Sequence, residues 1–165
     1  MTPVPAGDPP PQAGWPRLRN TLFHLYFLLR RPMTLGVRAL VLDGAGSVFL
    51  IRHTYVPGWQ LPGGGVERGE TCREALEREL MEEGNIRLAG EPELRSLHFN
   101  RGTSRRDHVA FYVVTDFTCE GPKQADREIA EAGFFRLDSL PELTSRATLR
   151  RMAEVCDGAA PSPFW

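Results

Sequence analysis

The chain holds only three cysteines, Cys72, Cys119 and Cys156, an odd number with no Cys-x-x-Cys pair among them. That excludes a disulfide framework and the usual cysteine metal sites, and it predicts ordinary thiols in a reducing, cytoplasmic setting. Charge of one sign is also lacking. With a formal net charge of −1, the chain has no broad basic surface of the kind that holds a nucleic-acid backbone, so nucleic acid is not an expected partner. A small anion gripped by a local patch remains open. Long apolar runs are absent too: the longest, Leu22 to Leu29, is far too short to cross a bilayer at about 1.5 Å per helical residue. No small-residue cleavage site follows it, so a secretory signal is not expected. There are no internal repeats.

What is present is an average globular composition, 41% hydrophobic and 25% charged over 165 residues, enough for one domain with its own core. Residues 1–16 are crowded with proline and small residues and predict a flexible arm. Residues 17–33 predict a helix, with arginines on both flanks of the apolar run and a stop at Pro32. Such a helix would dock on the domain or on a second copy of the chain in a homodimer, or else lie on a membrane surface. The ordered domain is expected over 34–160. Within it, VRALVLD and VFLIRH around Gly44-Ala45-Gly46-Ser47 read as a β-hairpin. Further strands are expected at Trp59 to Leu61, Leu94 to Asn100, Asp107 to Phe117 and Ile129 to Leu137, and a closing helix at Ser145 to Val155. Strands mixed with a few helices, without regular βαβ alternation, indicate an α+β fold around a mixed sheet.

The segment Thr71 to Gly84 predicts a helix opened by a capping box, Thr71 with Glu74, each side chain satisfying a free backbone N–H of the first turn. At 100° per residue, Cys72, Ala75, Leu76 and Leu80 form one apolar stripe. Glu79 and Glu83 fall inside that stripe, and Glu82 sits at its edge. A Glu-rich helix ordinarily means a solvated acidic face, but a solvated glutamate has no reason to interrupt the side that meets the core. Carboxylates at i, i+3 and i+4 repel one another, and dehydrating them costs roughly several kcal/mol per ion. A positive partner must compensate. Hard cations such as Mg²⁺ take oxygen ligands, and Arg78, four residues before Glu82 and four after Glu74, is placed to neutralise or orient carboxylates.

Upstream, Gly63-Gly64-Gly65 allows a tight turn and close approach to a ligand. Loop and helix together read Gly64, five residues, Glu70, seven residues, then Arg78-Glu79-Leu80-Met81-Glu82-Glu83-Gly84-Asn85-Ile86. This resembles the Nudix box, Gly-x5-Glu-x7-Arg-Glu-apolar-x-Glu-Glu-x-Gly-apolar, at every defined position but one. Asn85 stands where the pattern has glycine, and asparagine is the non-glycine residue that best tolerates the left-handed conformation expected there. The resemblance implies an α/β/α sandwich. It also implies a Mg²⁺-dependent hydrolase, with Mn²⁺ a second candidate, that cleaves a phosphoanhydride bond in a nucleoside diphosphate linked to another group. Glu79, Glu82 and Glu83 would hold the metal with Arg78 in support, Glu70 would assist without ligating, and metal-activated water would attack phosphorus. The general base in similar proteins is either the residue matching Glu79 or a glutamate outside the box. Here Glu128 and Glu131 precede the Phe134-Phe135 pair, and spacing favours Glu128, as ligand or base. In a strand starting near Ile129, Glu131 would share a face with Ile129, Gly133 and Phe135.

Arg105 and Arg106, in the basic turn between the expected strands, are candidates to grip substrate phosphates alongside Gly64, or are simply a solvated hairpin tip. His98 and His108 read as packing or hydrogen-bonding residues. Trp59 and Phe111 are expected in the core, with a base pocket as the lesser alternative. Some ADP-ribose-cleaving relatives carry a proline about fifteen residues beyond the box, and some dinucleoside-polyphosphate relatives a tyrosine near seventeen. Arg101 and Thr103 hold those positions here. This weakens both assignments without naming a replacement, and a nucleoside triphosphate or a nucleotide sugar is the leading expectation. The alternative is a catalytically silent nucleotide-binding sensor, although such modules often have broken box carboxylates and this chain keeps all of them.

Overall fold

The computed structural model describes residues 32–165 together with Phe23, Tyr26 and Arg30, which are helical. The expected arm at 1–16 and the rest of the 17–33 helix lie outside the described residues. Eight strands and two helices follow: β1 (Thr34–Val41), β2 (Ser47–His53), β3 (Trp59–Gln60), α1 (Cys72–Gly84), β4 (Ile86–Leu88), β5 (Glu93–Phe99), β6 (Asp107–Val114), β7 (Phe117–Cys119), β8 (Ile129–Arg136) and α2 (Arg146–Cys156). Among the described residues no helix is long and apolar enough to cross a membrane.

One sheet is mixed, in the order β1-β6-β5, with β1 parallel and β5 antiparallel to β6. A second sheet runs β3-β2-β8, all antiparallel. A small third pairs β4 with β7. Alternation along the strands builds two cores. Val37, Ala39 and Val41 of β1, Phe49 and Ile51 of β2, and Ala110, Tyr112 and Val114 of β6 pack with Ala75, Leu76 and Leu80 of α1. Their neighbours Leu40, Val48, Leu50 and Phe111 pack with Trp59, Leu61 and Met152 of α2. Helices thus cover both sides of the strands, which is the expected sandwich.

Two expectations are corrected. Strands form at 34–41 and 47–53, but not as a hairpin. β1 pairs along its whole length with β6, β2 pairs with β8, and a single bridge, Leu42 to Val48, links the two. Both strands are apolar on both faces, so each is buried in a separate sheet; a two-stranded hairpin could not cover two faces. The run at 107–117 is also not one strand. It ends at Val114, and after a break Phe117–Cys119 pairs with β4, a three-residue strand too short to announce itself in the sequence.

Helix α1 matches its expected signals. Thr71 is the N-cap, its hydroxyl accepting from the Glu74 N–H at 3.2 Å while the Glu74 carboxylate accepts from the Thr71 N–H at 2.8 Å. Asn85 closes the helix in the left-handed conformation, φ 53° and ψ 34°, its N–H donating to the Met81 carbonyl at 3.1 Å. The position where the box has glycine is thus filled with the geometry that glycine would supply.

Candidate active site

The glycine loop and α1 are knitted together by the box residues. The Gly63 N–H donates to Glu83 Oε2 at 2.6 Å, and Gly63 has φ 134°, where a Cβ would run into the backbone of Val37. A Cβ on Gly64 would collide with the Glu79 carboxylate. Gly64 is therefore a glycine because Glu79 lies against it. We expect Gly64→Ala to keep the fold yet lower turnover by about a hundredfold through displacement of Glu79. A kcat unchanged in that variant would show that the close approach is dispensable.

Arg78 is the hub of the site. Its Nε and one terminal nitrogen bind both oxygens of Glu70 at 3.0 and 3.2 Å, its other terminal nitrogen reaches Glu79 Oε1 at 2.7 Å and Glu82 Oε2 at 3.4 Å, and it donates to the Gly65 carbonyl at 2.9 Å. The bond with Glu70 lowers that carboxyl below its ordinary range. Glu70 thus orients Arg78, and Glu74 is spent on the helix cap. These forked contacts are the ones guanidinium makes well.

Glu79, Glu82, Glu83 and Glu128 line one cavity of about 470 Å³ with Lys123, Asp126, Arg127 and Ile129. Glu82 is exposed, whereas Glu83 is only 7% exposed. Burial pushes the Glu83 carboxyl up to about 8, and repulsion from Glu79 and Glu128 adds to the shift against the pull of Arg38 and the Gly63 N–H. His53 Nε2 lies 3.8 Å from Glu83 Oε1. Burial, then Arg38, holds His53 below its ordinary 6.5, so this contact is not an ion pair at neutral pH. Among the described residues, no three metal-ligating side chains are already drawn together into a cage. The donor set is nevertheless all oxygen, and its most buried member, Glu83, is a carboxyl whose charged form burial and two neighbouring glutamates disfavour. Those are the attributes that a hard dication satisfies.

Glu128 reaches this cavity and Glu131 does not. Glu131 is ion-paired with Arg52 at 2.9 Å. The expectation that Glu131 shares a face with Ile129 is corrected by a β-bulge between Arg52 and His53. The bulge shifts the alternation, so that Ile129 packs in the α1 core with Ala132 and Phe134. Arg105 and Arg106 stand exposed on their turn and line neither this cavity nor the next. Trp59 and Phe111 are buried in the α2 core. His98 is buried, with its ring nitrogens 2.7 Å from Ser96 Oγ and 2.8 Å from the Ser162 carbonyl, and His108 stacks on Phe99. Sequence reasoning missed His53, Arg38, Asp126 and Lys123. Only Lys123 carried a sequence signal, as the chain's single lysine.

A second cavity, about 340 Å³, is bordered by the glycine loop. It is lined by Gly64 and Gly65, by the polar side chains of Arg38, Gln60, Asn100 and Asp107, and by Trp165. The strap that brings Trp165 there pairs with β5 through Phe99, which donates to Pro163 and accepts from Trp165.

Residues 32–155 match the NUDIX domain. The human 8-oxo-dGDP phosphatase NUDT18 is 32% identical over 141 residues, 84% of this chain but 39% of that protein. The chain thus spans about two fifths of the length of this relative. The ADP-ribose pyrophosphatase of Methanocaldococcus jannaschii is 37% identical over 106 residues, 62% of each chain. Among solved structures, the MutT NUDIX hydrolase of Burkholderia pseudomallei superposes with a TM-score of 0.64 at 27% identity, covering 74% of this chain and 97% of that one. Family hydrolases of this kind generally use divalent metal ions. With the box residues gathered on one loop and helix, and the match running through nearly the whole described body, the chain belongs to the NUDIX family.

Proposed function

We propose that the protein is a Mg²⁺-dependent hydrolase of a phosphoanhydride bond in a nucleoside diphosphate linked to another group, with a nucleoside triphosphate or a nucleotide sugar as substrate. The observation that carries this reading is the convergence of Glu79, Glu82, Glu83 and Glu128, from α1 and the loop before β8, on one cavity. These four would hold the metal, and Mn²⁺ suits the same oxygens. Bound there, a dication polarises phosphoryl oxygens and lowers the pKa of water. Arg78 keeps Glu79 and Glu82 aimed while Glu70 keeps Arg78 in place. The glycine loop contacts Glu83 and Glu79 of the carboxylate cavity and lines the second one, whose polar residues and Trp165 suit the edge and face of a nucleobase. The relatives' printed substrates, 8-oxo-dGDP and ADP-ribose, share a nucleoside diphosphate moiety, which supports the class. Free thiols at all three cysteines fit a cytoplasmic enzyme.

The test is a phosphate-release screen over nucleoside triphosphates, 8-oxo-dGDP, nucleotide sugars, ADP-ribose and dinucleoside polyphosphates, with and without Mg²⁺. Release from a subset, abolished by chelation, is expected. Tight nucleotide binding with no release from any compound would leave the sensor reading in its place.

A further inference from the structure

Nineteen of the chain's twenty basic residues are arginine, and the one lysine is Lys123. It lies in the wall of the carboxylate cavity with Glu79, Glu82, Glu83 and Glu128. Its side chain is 16% exposed, and its Nζ sits 2.6 Å from Asp126 Oδ2. Asp126 uses its two oxygens for different tasks. Oδ1 accepts from the backbone N–H groups of Glu128 and Ile129 at 2.9 and 2.8 Å, which fixes the turn that delivers Glu128 to the cavity. Oδ2 takes the ammonium and, among the described residues, makes no other hydrogen bond.

The choice of lysine matters here. Arg78, in the same site, forks across three carboxylates and a carbonyl and is locked by them. An ammonium is a compact charge on a flexible stem with three rotatable donors, so it can exchange one oxygen for another without leaving a planar set of bonds unmade. Arg127 also lines the cavity, but it is exposed, whereas Lys123 is largely enclosed. The backbone around Lys123 is anchored to the end of α1: Glu120 donates to the Asn85 carbonyl at 2.9 Å, and the Asn85 amide lies 3.4 Å from the Pro122 carbonyl. Lysine, carboxylates and helix end are therefore one assembly.

We propose that Lys123 contacts the substrate, its ammonium leaving Asp126 Oδ2 to take a non-bridging oxygen of the phosphate group that lies against the carboxylates. This rests on the hydrolase reading, so one readout is independent of turnover. The full chain is treated with an amine-acetylating reagent, and modification of Lys123 is followed on its peptide. Inorganic pyrophosphate with Mg²⁺ should slow that modification several-fold beyond Mg²⁺ alone; equal rates overturn the proposal.

The second readout uses whichever substrate the screen identifies. Lys123→Gln should raise KM about ten- to hundredfold, the loss of one charge-assisted hydrogen bond, with a smaller effect on kcat. Asp126→Asn keeps an oxygen for the Glu128 and Ile129 N–H groups but no longer competes for the ammonium, so its KM should fall. Opposite signs in the two partners of one ion pair are the signature. If both variants raise KM alike, the pair merely fastens the loop and Lys123 does not meet substrate. If no compound in the screen is cleaved, the hydrolase reading fails, while protection from acetylation still reports on phosphate contact.

Discussion

Glu83→Gln should lower turnover by about a hundredfold or more while leaving the protein folded, because it replaces an anionic oxygen in the cavity by a neutral one of nearly the same volume. The same substitution should change how stability depends on pH. In the metal-free protein Glu83 titrates near 8 against an ordinary 4.5. The folded state therefore binds more protons than the unfolded chain between those values, and stability is lost as pH rises through that window. His53 acts in the opposite sense below 6.5: its lowered pKa means that the unfolded chain binds the extra proton, so stability is gained as pH rises toward 6.5. Between about 6.5 and 8 the two no longer oppose, and the fall belongs to Glu83. Melting temperatures measured in chelator should drop across this interval for the natural chain and stay level for Glu83→Gln. Added Mg²⁺ should raise the melting temperature more at pH 8 than at pH 6.5, since a ligand must give up its proton before it binds. Near-full turnover in the variant would remove Glu83 from the set of metal ligands.

Helix α1 was legible because everything that makes it is local. The capping box, the three- and four-residue spacing and the left-handed Asn85 each involve neighbours in the chain, and the structure realises all three. The pairing of β1 with β6 depends on residues some seventy positions apart, Thr34 with Asp107 at one end and Val41 with Val114 at the other. Nothing in the short turn at 43–47 reveals that the strands after and before it belong to different sheets. Within the site, legibility follows the same division. Glu79, Glu82, Glu83 and Arg78 sit on one helix, so their spacing alone places them together. His53 and Arg38 come from β2 and β1 and act on Glu83 only through the fold. Their alternation along the strands could not be told from ordinary packing. Arg105 and Arg106 show the converse. Arginines beside histidines suggest a phosphate grip, yet they line neither cavity, although Asn100, Thr103 and Asp107 of the same turn line the second one.

Glu128→Gln should cut turnover by about two to four orders of magnitude if Glu128 is the general base, and Glu131→Gln should leave it almost unchanged. The two glutamates are three residues apart, and the bulge separates them. Glu131 of β8 sits directly opposite Arg52 of β2, in an exposed ion pair whose loss costs no more than about 1 kcal/mol and touches no cavity. Glu128 precedes the strand. Its N–H is held by Asp126, its carbonyl accepts from the Thr54 N–H at 2.9 Å, and the adjacent Arg127 carbonyl accepts from the Thr54 hydroxyl at 2.8 Å. The backbone is thus pinned from both sides while the side chain lies in the cavity wall with Glu79, Glu82 and Glu83. A fixed backbone with an unencumbered carboxylate is what a ligand or a base requires. The two roles separate in the kinetics. Loss of a base flattens the acidic limb of the pH–rate profile, whereas loss of a ligand keeps that limb and raises the Mg²⁺ concentration needed for half-maximal rate. Greater damage from Glu131→Gln than from Glu128→Gln, or full turnover in both at saturating Mg²⁺, would move the extra carboxylate out of this loop altogether.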